Sequence, residues 1–499
     1  MNLLDNLTLG MSVALTFQNV FFCFVGVVVG TLVGVLPGLG PAATMAMLLP
    51  LTFYLTPVSS MIMLAGIYYG AQYGGSTTAI LMRLPGEASS VVTCIDGHAM
   101  ALKGRAGAAL AIAALGSLFA GSVATLLIAV ASPALAGIAL RFGAPENFAL
   151  MAFGLVGAIV LAQGSLLNAV SMVVLGLMLG IVGTDVQSGQ QRFTLGLPQL
   201  FDGIAFVPLA MGLFGISDIL SNLDHRDRKE TPIKVGSLMP TKDELRSAAM
   251  PAVRGTLVGS ILGVLPGGGA LLSSFASYAL EKKLAKDPSR FGQGAIEGVS
   301  GPESANNAGA QTSFIPMLTL GIPSNVVMAM IVGALLIQGI VPGPMIITQQ
   351  PELFWGLIAS MWIGNLMLVV INLPLVGVWV TMLRIPYRLL FPSVLLFCMI
   401  GAYSLSNSTF DIKMMGLFGA VGYLFHKLNC EAAPLLLGVI LGPMMEENLR
   451  RALVLSRGDY LVFIEQPISL GLLLAALALL VLVAVPSFKS RRKEVFSEA

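Results

Sequence analysis

The chain has 499 residues, 56% hydrophobic and only 10% charged, where a soluble domain carries about 25% charged residues. A mean hydropathy of +0.87 excludes an aqueous globule around a single core and selects an all-α, polytopic membrane protein. The net charge of +2 says nothing about a partner, and no nucleic acid is expected; the scattered Cys23, Cys94, Cys398 and Cys430 have neither CxxC nor metal spacing, so no metal and no cofactor is expected.

The start, MNLLDNLTLG, has Asp5 and no Lys or Arg, so the first apolar run is expected to stay as a helix. Apolar runs recur to the last, GLLLAALALLVLVAV at 471–485. At about 20 residues per span they predict about 10–12 transmembrane helices, some broken or re-entrant. Residues 1–220 read as a first transmembrane half and 221–247, rich in Lys and Arg, as a cytoplasmic linker. Residues 248–445 read as a second half, and 446–499 as a C-terminal helix with a basic cytoplasmic tail, SFKSRRKE at 487–494.

The two halves are expected to be pseudo-symmetric. GTLVGVLPGLG at 30–40 and GSILGVLPGGG at 259–269 share seven of eleven positions. A second interrupted stretch follows in each half, GGSTTAILMRLPGEASSVV at 74–92 and GAQTSFIPMLTLGIPSNVV at 309–327. Residues 252–265 make only about 21 Å of helix, short of a ~30 Å hydrocarbon core, which predicts a hairpin or a helix broken at mid-depth. Such backbone is tolerated only where protein or a wet cavity satisfies it. A helix that starts at a break presents bare N–H groups and the positive end of its dipole, an anion site. Four such starts are expected: after Gly40, with Pro41 at the first helical position; after Gly269; at Pro85–Gly86; and at Pro323, with Ser324 as N-cap. Paired interruptions of this kind point to the substrate site of a transporter. Gly38, Gly267 and Gly268 would let a ligand approach the backbone, and Ser89 lies just beyond the first-half proline.

The polar segment at 297–325 is flanked by apolar sequence, so its amides and hydroxyls must find partners. Asn306 and Asn307 can donate to a carboxylate and accept around a cation, and Thr312 adds a hydroxyl. The corresponding first-half hydroxyls are Ser76, Thr77 and Thr78. Glu87, Glu297 and Glu303 are candidate acids for cation or proton coupling, with Glu297 better read as pairing with Arg83 or Arg254. Glu303, Ser304, Asn306 and Gly321 are the candidate coupling-ion residues. Near the end, Glu446–Arg450 and Glu447–Arg451 have the spacing of helix-surface ion pairs.

GVLPGLGPAATMAMLLPLTF, the stretch from YYGAQYGGSTTAILMRLPGEASSVV onward, and EGVSGPESANNAGAQTSFIPMLTLGIPSNVVMAM resemble the large membrane subunit of bacterial tripartite tricarboxylate transporters, TctA-type. The resemblance implies a non-enzymatic, cation-driven (Na⁺ or H⁺) uptake system of the bacterial inner membrane. It implies a small membrane subunit, a periplasmic substrate-binding protein and a di- or tricarboxylate such as citrate. It places the site on Pro37–Gly40, Pro266–Gly269, Glu303 to Thr312 and Gly321 to Asn325. An intramembrane serine hydrolase with Ser300 of GVSG as nucleophile is a rival, but no histidine has an evident place beside it. A passive anion channel is another.

Overall fold

The computed structural model describes residues 2–36, 40–162, 165–185, 188–224, 233, 235–265, 269–382 and 387–484. Pro37, Gly38, Pro266, Gly267, Gly268 and the basic tail lie outside the described residues.

Among the described residues the fold is all-helical apart from one pair of two-residue strands, β1 (Gly183–Thr184) antiparallel to β2 (Gln191–Arg192). The first half runs α1 (Leu3–Ala14), α2 (Phe17–Val35), α3 (Pro41–Thr52), α4 (Pro57–Met82), α5 (Thr93–Met100) and α6 (Ala106–Ala139). It continues through α7 (Ala144–Leu161), α8 (Leu166–Gly180), α9 (Phe206–Ala210) and α10 (Ser217–Asp224). The second half opens with α11 (Lys242–Val264), α12 (Gly269–Leu284), α13 (Glu297–Thr312), α14 (Phe314–Leu320) and α15 (Val326–Ile337). Then come α16 (Ile346–Gln349), α17 (Pro351–Asn372), α18 (Val376–Met382), α19 (Tyr387–Ser406) and α20 (Thr409–Lys427). The chain closes with α21 (Ala432–Leu455), α22 (Val462–Glu465) and α23 (Pro467–Ala484).

Among the described residues four helical segments are long and apolar enough to cross a bilayer: Phe17–Val35, Thr93–Ala139, Lys242–Val264 and Pro351–Asn372. Shorter apolar helices accompany them, α3, α8 and α15 included, as interrupted spans require. One length differs from expectation. α11 begins at Lys242, inside the charged stretch, and its 23 residues make about 35 Å. The cause is a capping box: Thr241 Oγ1 accepts from the Glu244 N–H, and Glu244 accepts in return from the Thr241 N–H. The helix before the second break therefore has the reach to cross on its own.

Glycines explain how the helices around the breaks pack. A Cβ on Gly26, Gly30 or Gly34 of α2 would lie 2.3 Å from the carbonyl oxygens of Met63, Ile67 and Ala71 of α4. In the second half a Cβ on Gly255, Gly259 or Gly263 of α11 would lie 2.1, 2.2 and 2.4 Å from those of Gly301, Ala305 and Gly309 of α13. The contact positions rise in step, so each pair of helices runs side by side in the same direction. Such backbone-to-backbone approach is what small residues spaced four apart allow in membranes. The α2 and α11 positions differ by 229 (255 − 26, 259 − 30, 263 − 34), and their partners by 238 (301 − 63, 305 − 67, 309 − 71). The repeat is thus carried by packing as well as by motif.

Candidate functional site

Each half interrupts its second ladder helix, or that helix's continuation, in the same way. α4 ends with Arg83 left-handed at φ 55°, and α14, which continues α13, ends with Gly321 at φ 72°. Pro85 and Pro323 follow two residues on. Glu87 (φ −148°, ψ 166°) and Asn325 (φ −155°, ψ 175°) are then extended and open the next helical segments, Ala88–Ser90 and α15. The three pairs share the separation of the ladder: 321 − 83, 323 − 85 and 325 − 87 are each 238. This register corrects the sequence pairing. Ser76, Thr77 and Thr78 stand opposite Phe314, Ile315 and Pro316, not Gln311, Thr312 and Ser313. A slip of three residues is nearly one helical turn and keeps side chains on nearly the same face, so pattern alone tolerates it.

All four helix starts reach one cavity of about 310 Å³. Gly40 and Pro41 open α3, Gly269 and Ala270 open α12, Glu87 and Ala88 open the short 3₁₀ turn, and Asn325 and Val326 open α15. Tyr68 and Gln72 of α4 add polar groups, while Ala158 of α7 and Leu437 of α21 line an apolar wall. Asn325 Oδ1 accepts from the Met328 N–H at 3.0 Å, and its Nδ2 donates to Ser313 Oγ at 3.2 Å. Asn325, not Ser324, is the N-cap; the Ser324 hydroxyl donates to the Ser313 carbonyl at 3.4 Å. The Ser89 hydroxyl reaches Gln72 Oε1 at 3.0 Å and Glu87 Oε1, to which Asn306 Nδ2 also donates at 3.4 Å.

A second polar group lies deeper. Glu303 is 1% exposed and accepts from Ser76 Oγ at 2.6 Å and from Thr93 Oγ1. Asn307 Nδ2 donates to Ser117 Oγ at 2.7 Å and to the Glu303 carbonyl at 3.0 Å. Thr77 and Ser76 share a small void with Ser117.

Other expected site residues do not line the cavity. The Thr78 hydroxyl donates to the Val35 carbonyl at 2.8 Å, and that of Thr312 to the Ala308 carbonyl at 2.9 Å. A Cβ on Gly86 would lie 2.2 Å from the Gly34 carbonyl, so this glycine packs the break against α2. Gly321 caps α14 against the Pro342 carbonyl, Pro85 and Pro323 shape the breaks, and Ser304 faces Gly116. Glu297 pairs with Arg290 at 3.2 Å, while Arg254 pairs with Glu281 at 2.5 Å. Glu446–Arg450 forms at 2.5 Å and is joined by Asp185 and Arg192; among the described residues Glu447 and Arg451 form no ion pair. The Ser300 hydroxyl donates to the Ala248 carbonyl at 2.8 Å, an anchoring bond and not a triad.

Sequence reasoning passed over Tyr68, Gln72 and Asp96. Asp96 is fully buried; its Oδ1 accepts from the N–H groups of Gly292 (2.9 Å), Gly294 (2.7 Å) and Ala295 (2.8 Å), and its Oδ2 from the Tyr278 hydroxyl at 2.9 Å. Its signal was a lone acid inside VVTCIDGHAM, a run otherwise almost without charge.

An apolar helical bundle, with helices interrupted in matched pairs around one interior cavity, is the architecture of a polytopic membrane transporter. Residues 20–437 match the Tripartite tricarboxylate transporter TctA family, and the chain belongs to that family. It is 60% identical over 499 residues, all of this chain and 99% of the relative, to an uncharacterized 52.8 kDa protein in the TAR-I ttuC' 3' region of Agrobacterium vitis. A protein in the TAR-II ttuC' 3' region of the same organism is 60% identical over 240 residues, 48% of this chain and 99% of that relative. No solved structure matches the chain.

Proposed function

We propose that this chain is the membrane-embedded permease subunit of a binding-protein-dependent secondary transporter that takes up di- or tricarboxylates, citrate among them, on a Na⁺ or H⁺ gradient. The single observation that carries the reading is the meeting of four helix starts on one cavity. α3, α12 and α15 each begin on the wall of that space, so their positive dipole ends, and the first-turn N–H groups other than that of Met328, which Asn325 caps, favour a carboxylate there. A cavity of about 310 Å³ is of the size that small-ligand sites take.

Glu87 lines the same cavity. An anionic substrate beside an ionised carboxylate is repelled, so substrate entry is favoured when a proton or a cation neutralises Glu87. That requirement suits co-transport better than passive conduction. The partners in this reading are a small membrane subunit and a periplasmic substrate-binding protein, and the setting is the bacterial inner membrane.

The test is uptake in proteoliposomes holding this chain, the small subunit and the binding protein, with Na⁺ and H⁺ gradients compared over a panel of organic acids. Uptake of a di- or tricarboxylate that needs both a gradient and the binding protein is expected. Anion currents that need neither would replace the reading with a channel.

A further inference from the structure

Within each half the ladder helices run in the same direction, α2 beside α4 and α11 beside α13. Between the halves the order reverses. Ser76 Oγ meets Glu303 Oε2 at 2.6 Å, and the Tyr69 and Phe314 rings lie 6.1 Å apart, so residue numbers rise from 69 to 76 on α4 where they fall from 314 to 303 beside it. The ends agree. Gln338 Nε2, just past α15, donates to the Thr52 carbonyl at 2.7 Å and to Ser60 Oγ at 2.8 Å, where α4 begins. At the other end Lys103 Nζ donates to the Gln293 carbonyl at 2.5 Å, ahead of α13, and Arg105 pairs with Glu244 at the start of α11. The copies related by the 229 and 238 offsets therefore run in opposite senses.

Positive residues give the sides. Lys103 and Arg105 of the first half gather at one end with Lys282, Lys283, Lys286 and Arg290 of the second. Residues 1–16, 52–57 and 338–350, at the opposite end, hold no Lys or Arg. The basic end is cytoplasmic by this asymmetry. The first-half pair thus enters from the periplasmic side and the second-half pair from the cytoplasmic side.

The contacts between the halves bracket Ala71 and Gly309, which are 238 apart (309 − 71) and stand on the ladders. Around this point the cavity repeats itself. Asn306 Nδ2 donates to Glu87 Oε1 at 3.4 Å, and the Tyr68 hydroxyl lies beside the Asn325 side chain. Exchanging the halves turns one pair into the other, since 306 − 68 and 325 − 87 are each 238. We propose that the halves are inverted-topology repeats about a pseudo-twofold axis in the membrane plane, passing between Ala71 and Gly309 beside the cavity, with Tyr68 and Asn325 on the periplasmic side of that axis and Asn306 and Glu87 on the cytoplasmic side. Tyr68 precedes Ala71 by three residues and Asn306 precedes Gly309 by three, on helices of opposite direction, which sets the two pairs about 9 Å apart along the membrane normal. An anion entering from the periplasm meets the neutral pair before Glu87. That order of events rests on the transport reading above; the inversion does not.

The experiment labels single cysteines in the full chain, in bacterial spheroplasts and in inside-out vesicles, with a membrane-impermeant maleimide. The parent carries Cys430→Ser; Cys23, Cys94 and Cys398 are buried. Asn2→Cys, Gln349→Cys, Asp243→Cys and Ser289→Cys are all at exposed positions, where a cysteine should not disturb the fold. Asn2→Cys and Gln349→Cys should take label in spheroplasts and lose it in inside-out vesicles. Asp243→Cys and Ser289→Cys should do the reverse. Label on Asn2→Cys and Asp243→Cys from the same side would make the repeats parallel and overturn the proposal. The reversed pattern in all four would also overturn it, by turning Glu87 toward the periplasm. Citrate uptake is read in the same vesicles. The expected labelling without any uptake supports the inversion and removes only the transport reading.

Discussion

Glu87 and Asn325 occupy equivalent places in the two halves, 238 residues apart (325 − 87), with the same extended backbone and on the wall of the same cavity. Their backbones match and their chemistry does not. One half offers a carboxylate where the other offers a neutral amide, so the cavity has a side that tolerates an anion and a side that does so only when neutralised.

Asn325→Asp tests that asymmetry. The new carboxylate can still accept from the Met328 N–H and sits well at the start of α15, and losing the donation to Ser313 Oγ should cost only about 1 kcal/mol of stability. It adds a further carboxylate to a cavity already lined by Glu87 and Glu431, and carboxylate uptake should fall roughly tenfold or more, about 1.4 kcal/mol. Paired measurements of uptake and thermal midpoint decide it. Full uptake by a stable Asn325→Asp would mean that the substrate does not meet α15 at this residue.

Gly269 and Gly40 make a contrasting pair. Gly269 is left-handed at φ 46°, and a Cβ there would lie 3.2 Å from Asn325 Nδ2. Gly269→Ala should cost about 1–2 kcal/mol from backbone conformation alone and lower the thermal midpoint. Gly40 has ordinary backbone at φ −78°, and a Cβ there would meet nothing within 4 Å. Gly40→Ala should leave stability alone yet reduce substrate affinity, because its methyl projects into open space beside the start of α3. Ligand-binding titrations beside thermal melts separate the two effects; unaltered affinity in Gly40→Ala would take α3 out of the substrate's reach.

The breaks were legible because proline and glycine act locally: LPG and GIPS announce a helix end whatever surrounds them. The pairing of the two GVLPG motifs was legible for the same reason, and α2 and α11 carry it at the 229 offset. Register was not, since a slip of about one turn leaves the pattern of small and hydroxyl residues almost unchanged. The hydroxyls themselves misled. Thr312 and Ser313 spend theirs on carbonyls four residues back, Ala308 and Gly309, a common fate of Ser and Thr within helices. Tyr68 and Gln72, which do line the cavity, sit mid-helix in α4, where one residue's facing depends on its neighbours and not on its own propensity. The start of α11 was written in TKDE, but the charges around it suggested a linker instead.

The glycine ladders carry a stability prediction. Gly30→Ala would set a methyl 2.3 Å from the Ile67 carbonyl, and Gly259→Ala one 2.2 Å from the Ala305 carbonyl. Each must push its helix pair apart, at about 1–3 kcal/mol. Gly377→Ala in α18 meets nothing within 4 Å and should be neutral or gain a few tenths of a kcal/mol, as alanine is the better helix former. Thermal melts of the three single variants check this. Equal shifts for Gly30, Gly259 and Gly377 would remove the ladders as the reason for the close packing.

Asp96 links the two halves at the entrance to α13. Its Oδ1 gathers the N–H groups of Gly292, Gly294 and Ala295, and its Oδ2 the Tyr278 hydroxyl, so four donors from the second half converge on one first-half carboxylate. Each hydrogen bond to a charged group contributes about 1.5–3 kcal/mol, and buried donors left without a partner cost more than the bond itself returned. Asp96→Ala should therefore destabilise by several kcal/mol, about 3 or more, while Asp96→Asn, which keeps one carbonyl oxygen, should lose less. Gly292 and Gly294 are left-handed at φ 85° and 95°, so nothing in their own conformation holds them once the carboxylate is gone. Hydrogen exchange is the direct measurement: the amides of Gly292, Gly294 and Ala295 should lose protection in Asp96→Ala before the rest of the fold does. Because this loop delivers the chain into α13, which carries Glu303, Asn306 and Asn307, uptake should fall with that protection. Unchanged exchange at these three amides would show that the loop is held by its other contacts, and that Asp96 is a passenger at the junction.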